Sequence, residues 1–247
     1  EYDQVFACDS TQEKVYAEIA DLVVSVLDGY NVCIFAYGQT GLLQRPSRVR
    51  VPHIRHRRDS SPPAGSGKTY TMNGPPENRG CNLRALHDLF VKSKERRRDQ
   101  IEDVITVSVL EIYNESIRDL LRDPSKGLKK LEVRRGERGN YVPDLTTVEV
   151  HDDAEVLELM DMADSVRAAA STDMNEHSSR SHMLLSVHVD TLHKSSGMRT
   201  FSKLHLVDLA GRDNFTLDLA DFVLSLHVVP ELGSGEDFVH GENSESE

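Results

Sequence analysis

Apolar positions along this chain repeat with two periods. Tyr16, Ile19, Val23 and Val26/Leu27 recur at helical spacing. Ser10-Thr11-Gln12-Glu13 ahead of them reads as a capping box with Ser10 as N-cap, and Gly29 suits the C′ position, so the pattern predicts a helix over residues 11–28. Residues 1–9 read as a short strand or entry loop, and the apolar run at 31–37 suits a buried strand. Leu83, Leu86, Leu89 and Phe90 form a second helical face, whose basic end at 92–98 is expected to be solvated. Residues 104–113 are rich in β-branched side chains and predict a strand that runs into Asn114 and a short helix ending at Asp119-Leu120-Leu121. Short strands are expected at 131–135, 141–142 and 148–150, around a turn at 136–139. Asp152 or Asp153 caps a helix with the face Val156, Leu159, Met160 and Ala163, ending near Ala170; Met160 and Met162 read as core and rim. Strands at 183–191 and 199–209, joined by a turn at 194–197, complete an alternation of helices and strands that belongs to the α/β class.

Two stretches carry neither period. Residues 42–65 (LLQRPSRVRVPHIRHRRDSSPPAG) are 24 residues rich in Arg and Pro, expected to be disordered or loosely extended. Residues 212–247 keep enough apolar character at 216–228 for one helix, and then become acidic and rich in Ser and Gly, as a disordered tail would. The charge follows the same division. Six arginines (Arg45, Arg48, Arg50, Arg55, Arg57, Arg58) against Asp59 make the first stretch basic, and nine acidic residues against Arg212 make the second strongly acidic, within a net charge of −12. An acidic chain is a poor general binder of nucleic acid. No run reaches the length of a membrane span. Three scattered cysteines (Cys8, Cys33, Cys81) suit a reducing compartment rather than a disulfide framework or a zinc site. The start at Glu1, without Met or an apolar leader, reads as a fragment.

The candidate chemistry begins at Ser66-Gly67-Lys68-Thr69, which is half of a phosphate-binding loop. Such a loop reads G-x-x-x-x-G-K-[ST]: its backbone N–H groups cradle phosphates, its Lys reaches their oxygens and its Thr hydroxyl ligates Mg²⁺. Five places before Gly67 stands Pro62, which has no N–H to offer. The missing half is Gly38-Gln39-Thr40-Gly41, after the apolar run at 31–37. Joining Gly41 to Ser66 produces GQTGSGKT, which makes residues 42–65 an insertion within the loop. That insertion reads either as an aberrant stretch of the gene product or as a basic regulatory loop for an acidic partner.

The joined string AYGQTGSGKTYTM, with NEHSSRSH at 175–182 and DLAG at 208–211, resembles the motor domain of kinesins over roughly residues 1–41 and 66–211. EIYNE at 111–115 adds to the likeness, and DGYNVCIFAYGQTG and YVPDLT are most similar to the C-terminal-motor, minus-end-directed class. The resemblance implies a three-layer P-loop NTPase core with a mixed central sheet, incomplete at each end of the chain. It implies ATP and Mg²⁺ as ligands, the microtubule as partner, a cytoplasmic and cytoskeletal location, no membrane, and a full-length form able to dimerise through segments outside this chain.

The same resemblance assigns Gly38, Gln39, Thr40, Gly41, Ser66, Gly67, Lys68 and Thr69 to the phosphates and Tyr70 to the adenine ring. It assigns Thr69, Ser179 and Asp208 to the metal, and Asn175, Ser178, Ser179, Arg180, Asp208, Gly211 and Asp213 to the catalytic set. There Ser178 and Ser179 contact metal and attacking water, Gly211 offers its N–H to the γ-phosphate, and Arg180 pairs with the acid after DLAG. That acid is Asp213 here, one methylene shorter than the family's Glu. His177 and His182 have no carboxylate or Cys at ligand spacing and are not expected to bind metal. In the hairpin lobe, Arg134, Arg135 and Arg138 are microtubule contacts by resemblance, or a solvated tip. The function implied is a kinesin-like microtubule motor segment with ATP binding and hydrolysis, impaired by the split loop and by the divergence after Gly211. The alternatives are a non-catalytic microtubule- or partner-binding module and an unstable product of gene misprediction.

Overall fold

The computed structural model describes residues 2–7, 9–38, 67–114, 116–127, 129–136, 139–169 and 181–210. Within them the elements run α1 (Gln12–Ala17), α2 (Ala20–Ser25), β1 (Val32–Ala36), α3 (Lys68–Met72), α4 (Cys81–Arg96), β2 (Ile101–Tyr113), β3 (Ser116–Asp119), β4 (Arg134–Gly136), β5 (Gly139–Tyr141), β6 (Val148–Glu149), α5 (Asp153–Ala169), β7 (Ser181–His193) and β8 (Arg199–Asp208). The main sheet has the order β1-β8-β7-β2-β3, with β6 also on β2; β4 and β5 form a separate ribbon. β1 and β8 are parallel, and the pairs β8–β7, β7–β2 and β2–β3 are antiparallel, so the sheet is mixed as expected.

Strand alternation divides the side chains between two faces. On one face Ile105, Val107 and Val109 of β2, Met183, Leu185, Val187 and Val189 of β7, and Leu204 and Leu206 of β8 pack under the helices. The helices add Tyr16, Val23, Leu86, Leu89, Phe90, Val156 and Met160. Each fully buried Leu or Val contributes about 1.5–3 kcal/mol to folding. The other face carries a smaller cluster of Leu110, Leu184, Val207 and Leu209, flanked by Cys33, Phe35, Ile112, Ile117, Val142 and Leu145; no described helix contributes to it.

Local differences from the sequence reading have clear causes. The first helix is capped by Thr11, whose hydroxyl accepts from Lys14 N at 3.3 Å, and not by Ser10. Glu13 is drawn off to Arg84 of α4, so no capping box forms. The helix expected before Leu120 is instead the strand β3. Asn114 takes φ 49°, in the left-handed region Asn tolerates, and this folds the chain back on itself. Ile117 then joins the second-face cluster while Arg118 stands opposite Glu111. The basic end of α4 is only partly solvated, because Arg96 donates to Leu27 O at 2.6 Å and lies 3.7 Å from buried Asp103. Asp152 caps α5, its Oδ1 accepting from Ala154 N and Glu155 N, and Met160 is buried where Met162 is exposed. The helix at 216–228 and the disordered stretches expected at 42–65 and in the acidic tail lie outside the described residues.

The second face holds a polar patch with a consequence for stability. Ser186 Oγ lies 2.8 Å from His205 Nδ1, and the His188 ring meets His205 edge-on at 6.5 Å. Burial, and then the Lys203 ammonium, push the His188 imidazole down to about 4. An unfolded His titrates near ~6.5. Between these values the unfolded chain binds the extra proton, so stability is full above the unfolded value and falls as pH drops towards the folded one. About 2 kcal/mol should be lost between about pH 7 and pH 5, with His182, also lowered by burial, acting in the same sense. Urea unfolding at the two pH values checks this, and His188→Asn should remove most of the difference.

Candidate functional site

The strand order brings Gly38 and the Gly67-Lys68-Thr69 start of α3 to one end of the sheet. β1 and β8 run in parallel with Ala36 opposite Asp208, so Gly38 and Asp208 leave adjacent strands at the same edge. Leu209 N continues this by donating to Ala36 O at 3.2 Å. α3 begins at Lys68 behind Gly67, whose φ of 81° is a left-handed conformation open to Gly. The Lys68 ammonium donates to Gly38 O at 2.7 Å across 30 positions of sequence. The Thr69 hydroxyl donates to Asp208 Oδ2 at 2.6 Å across 139.

The electrostatics follow from this proximity. Burial lowers Lys68 and Asp208 opposes it. Burial raises Asp208, while the Thr69 hydroxyl and the Arg167 and Lys68 charges pull it back. His182, at the start of β7, accepts from Ala210 N at 2.9 Å through Nδ1. Burial lowers that imidazole, which favours the neutral form able to accept, and the bond ties Ala210 after β8 to the start of β7.

Tyr70 is exposed. Its backbone carbonyl accepts from Gln12 Nε2 at 2.5 Å, a tie between α1 and α3 that the sequence does not announce. Nothing in the pattern marks Gln12, a polar residue in a first helical turn, as buried. Of the residues expected in the site, the structure brings together Gly38, Gly67, Lys68, Thr69 and Asp208, with Tyr70 one residue further along α3. Gln39, Thr40, Gly41, Ser66, Asn175, Ser178, Ser179, Arg180, Gly211 and Asp213 lie outside the described residues.

The donor set fits magnesium in kind. A hydroxyl and a carboxylate in contact are hard oxygen donors, and Mg²⁺ is commonly held by one or two protein oxygens with phosphate and water supplying the rest. Among the described residues no group of three or more His, Cys, Asp or Glu is arranged so that it could hold a metal ion.

The family model of the kinesin motor domain matches residues 1–42 and 63–220. The chain belongs to the kinesin motor domain family. The break in the match falls within 42–65, and the match runs nine residues past Gly211, further than the motifs alone carry the likeness. Kinesin-like protein KIN-14Q of Oryza sativa subsp. japonica is 44% identical over 217 residues, covering 86% of this chain and 20% of that protein. Kinesin-like protein KIN-14R of Arabidopsis thaliana is 44% identical over 213 residues, covering 86% of this chain and 17% of that protein.

Among solved structures, the C-terminal motor domain of Kar3 from Candida glabrata is 32% identical with a TM-score of 0.67, covering 86% of this chain and 58% of that one. A fast kinesin reaches a TM-score of 0.69 at 31% identity, over 90% and 59%. The likeness to kinesins with a C-terminal motor is thus borne out, as is the P-loop NTPase-like fold with a mixed sheet. This kinesin motor domain spans about a fifth of the length of the curated relatives it matches and about three-fifths of the solved motors. Among its described residues no helix is long and apolar enough to cross a membrane.

Proposed function

We propose that this chain is a microtubule motor segment that binds ATP with Mg²⁺ at the split loop, and that its hydrolysis is impaired. The observation that carries the reading is the pair of long-range contacts, Lys68 Nζ to Gly38 O and Thr69 Oγ1 to Asp208 Oδ2. They give one spot a cation for phosphate oxygens, a hydroxyl, and a carboxylate at the end of a strand. In phosphoryl transfer the protein's contribution is positioning and charge neutralisation. Lys68 would supply positive charge to the phosphates, Gly67 and its neighbours their backbone N–H groups, and Thr69 and Asp208 the oxygens that hold the metal. Mg²⁺, when bound, neutralises charge on the β- and γ-phosphates.

The remaining roles are carried over by resemblance: Ser178 and Ser179 at the metal and the attacking water, Gly211 at the γ-phosphate, Asn175 in the catalytic set, and Arg180 paired with Asp213, one methylene shorter than the family's Glu. Impairment is inferred from the 24 residues, six of them arginines, that interrupt the loop in sequence and from the divergence after Gly211. Minus-end-directed movement along microtubules, a cytoskeletal location and dimerisation of a longer form complete the reading.

Binding of a fluorescent ATP analogue in Mg²⁺ and in EDTA tests it. The chain should bind, and Thr69→Val should lower the affinity in Mg²⁺ by about tenfold while changing that in EDTA little. No binding in either buffer would overturn the reading. Exposed Arg134 and Arg135 on the β4–β5 ribbon favour a second reading, a non-catalytic microtubule-binding module. Co-sedimentation with microtubules that ignores nucleotide but falls with salt would select it.

A further inference from the structure

β1 stands at one end of the main sheet and pairs only with β8, in parallel. Parallel strands are ordinarily covered, and Val32-Cys33-Ile34-Phe35-Ala36 has the continuous apolar sequence of a covered strand. Every residue in it is nevertheless only half-buried, while Leu204, Leu206 and Val207 of β8 beside it are buried.

One hydrogen bond fixes which backbone groups of β1 are open. Ala36 stands opposite Asp208, and its carbonyl accepts from Leu209 N. In a parallel ladder a residue bonded in this way turns its own N–H to the same neighbour. Ala36 therefore faces β8 with both groups, as do Ile34 and Val32 by alternation, and Cys33 and Phe35 turn theirs outward. Among the described residues none bonds to these outward groups. Open edges are usually guarded by charge, Pro or a bulge. Residues 29–38 contain no charge and no Pro, and exposed Tyr30 and Tyr37 flank the strand. Uncharged surface rich in Tyr is the composition of an interface core.

We propose that a second copy of this chain adds to β1 edge to edge, antiparallel, about a twofold axis at Ile34. The strand is self-complementary in that register, the only one that pairs all five of its residues with one another. Cys33 stands opposite Phe35 of the copy, so the outward residues exchange their N–H and C=O groups. Val32 meets Ala36 and Ile34 meets Ile34, which keeps the residues packed on the helical side together. Cys33 and Phe35 stay together on the other side. Each copy carries a net charge of −12, so the copies repel through solvent and associate through an uncharged strand; salt should tighten the dimer. A five-residue edge is small beside the ~1,200–2,000 Å² of stable interfaces, which places the affinity at the weak, micromolar end. The contact needs no nucleotide and is separate from dimerisation through segments of a longer form.

Sedimentation equilibrium of the whole chain over about 1–100 μM tests it. The expected result is a monomer–dimer equilibrium that tightens at high salt. Cys33→Pro removes an outward N–H without touching the ladder to β8, and should weaken association by at least about tenfold while unfolding stays cooperative. Cys33→Ser with Ile34→Cys puts a thiol on the axis, where Cα atoms about 4.5 Å apart permit a disulfide. Mild oxidation should give a covalent dimer of this variant and none of Cys33→Ser alone, which decides the matter if Cys33→Pro does not fold. A chain that stays monomeric throughout overturns the inference, and hydrogen exchange at the Cys33 and Phe35 amides then separates an open edge from one taken by a strand of the same chain. A dimer that Cys33→Pro leaves intact, or that fails to cross-link through position 34, overturns it by placing the interface elsewhere.

Discussion

Lys68→Ala is expected to weaken ATP binding by about a hundredfold, with little change in thermal stability. Lys68 is a half-buried ammonium whose hydrogen bond to Gly38 O spans the two ends of the split loop. In the proposed nucleotide site the same group would supply positive charge to the phosphates. A charge-assisted hydrogen bond contributes about 1.5–3 kcal/mol, and every ~1.4 kcal/mol is tenfold in affinity. Loss of the link between the two half-loops adds to that figure. Isothermal titration with ATP and Mg²⁺ measures it, alongside a melt of the free protein. Equal affinity in the variant would mean that phosphates, if bound, are held somewhere else. Lys68→Arg should recover only part of the affinity, because a planar fork does not replace a compact ammonium in a tight loop.

Gly80→Ala should destabilise the fold by about 3 kcal/mol, a larger effect than its size suggests. A Cβ at this position would lie 2.4 Å from Thr71 O and 2.6 Å from Met72 O, both backbone atoms in the last turn of α3. Backbone cannot swing aside as a side-chain tip can. Either α4 must retreat from α3 or the turn closed by Gly80 N donating to Asn73 O at 2.8 Å must open. Since α3 carries Lys68 and Thr69, nucleotide affinity should fall with stability. For a chain of this size about 3 kcal/mol corresponds to a melting temperature lower by roughly 10 °C. Gly197 is the control: it sits in the β7–β8 turn at φ 71°, and a methyl group added there would meet no described atom within 4 Å. Gly197→Ala should cost about 1–2 kcal/mol, from the left-handed backbone alone. Equal melting temperatures for Gly80→Ala and the unmodified chain would remove the steric argument.

Much of the fold is legible locally. The Leu83, Leu86, Leu89 and Phe90 face forms α4, the β-branched run forms β2, and the 183–191 and 199–209 strands are β7 and β8 with limits shifted by at most two residues. Gly29 ends its helical segment with φ 96° as the pattern requires. The residues before Leu120 defeat a local reading because four residues are too few to separate a period of two from one of 3.6. Arg167 escapes it for a different reason. A lone Arg in a last helical turn is ordinarily there for the helix dipole, and its partner Glu111 is 56 positions away on another element. Glu111 itself stands in a recognisable string, yet nothing in that string marks its burial opposite Arg118 and under Arg167.

By itself the sequence determined the elements and the chemistry they carry: a strand, half a glycine loop, a second half with Lys68 and Thr69, and a carboxylate at Asp208. Such features depend on periodicity and residue type within a few turns of chain, where short-range sterics and burial of one face decide. Only the tertiary structure decided that Gly38 meets Lys68, that Thr69 meets Asp208, and that Arg118, Glu111, Met183, Asp208 and Ala36 share one row. Those meetings depend on strand order and register, which arise from the packing of the whole sheet against its helices and are written in no single stretch of the chain.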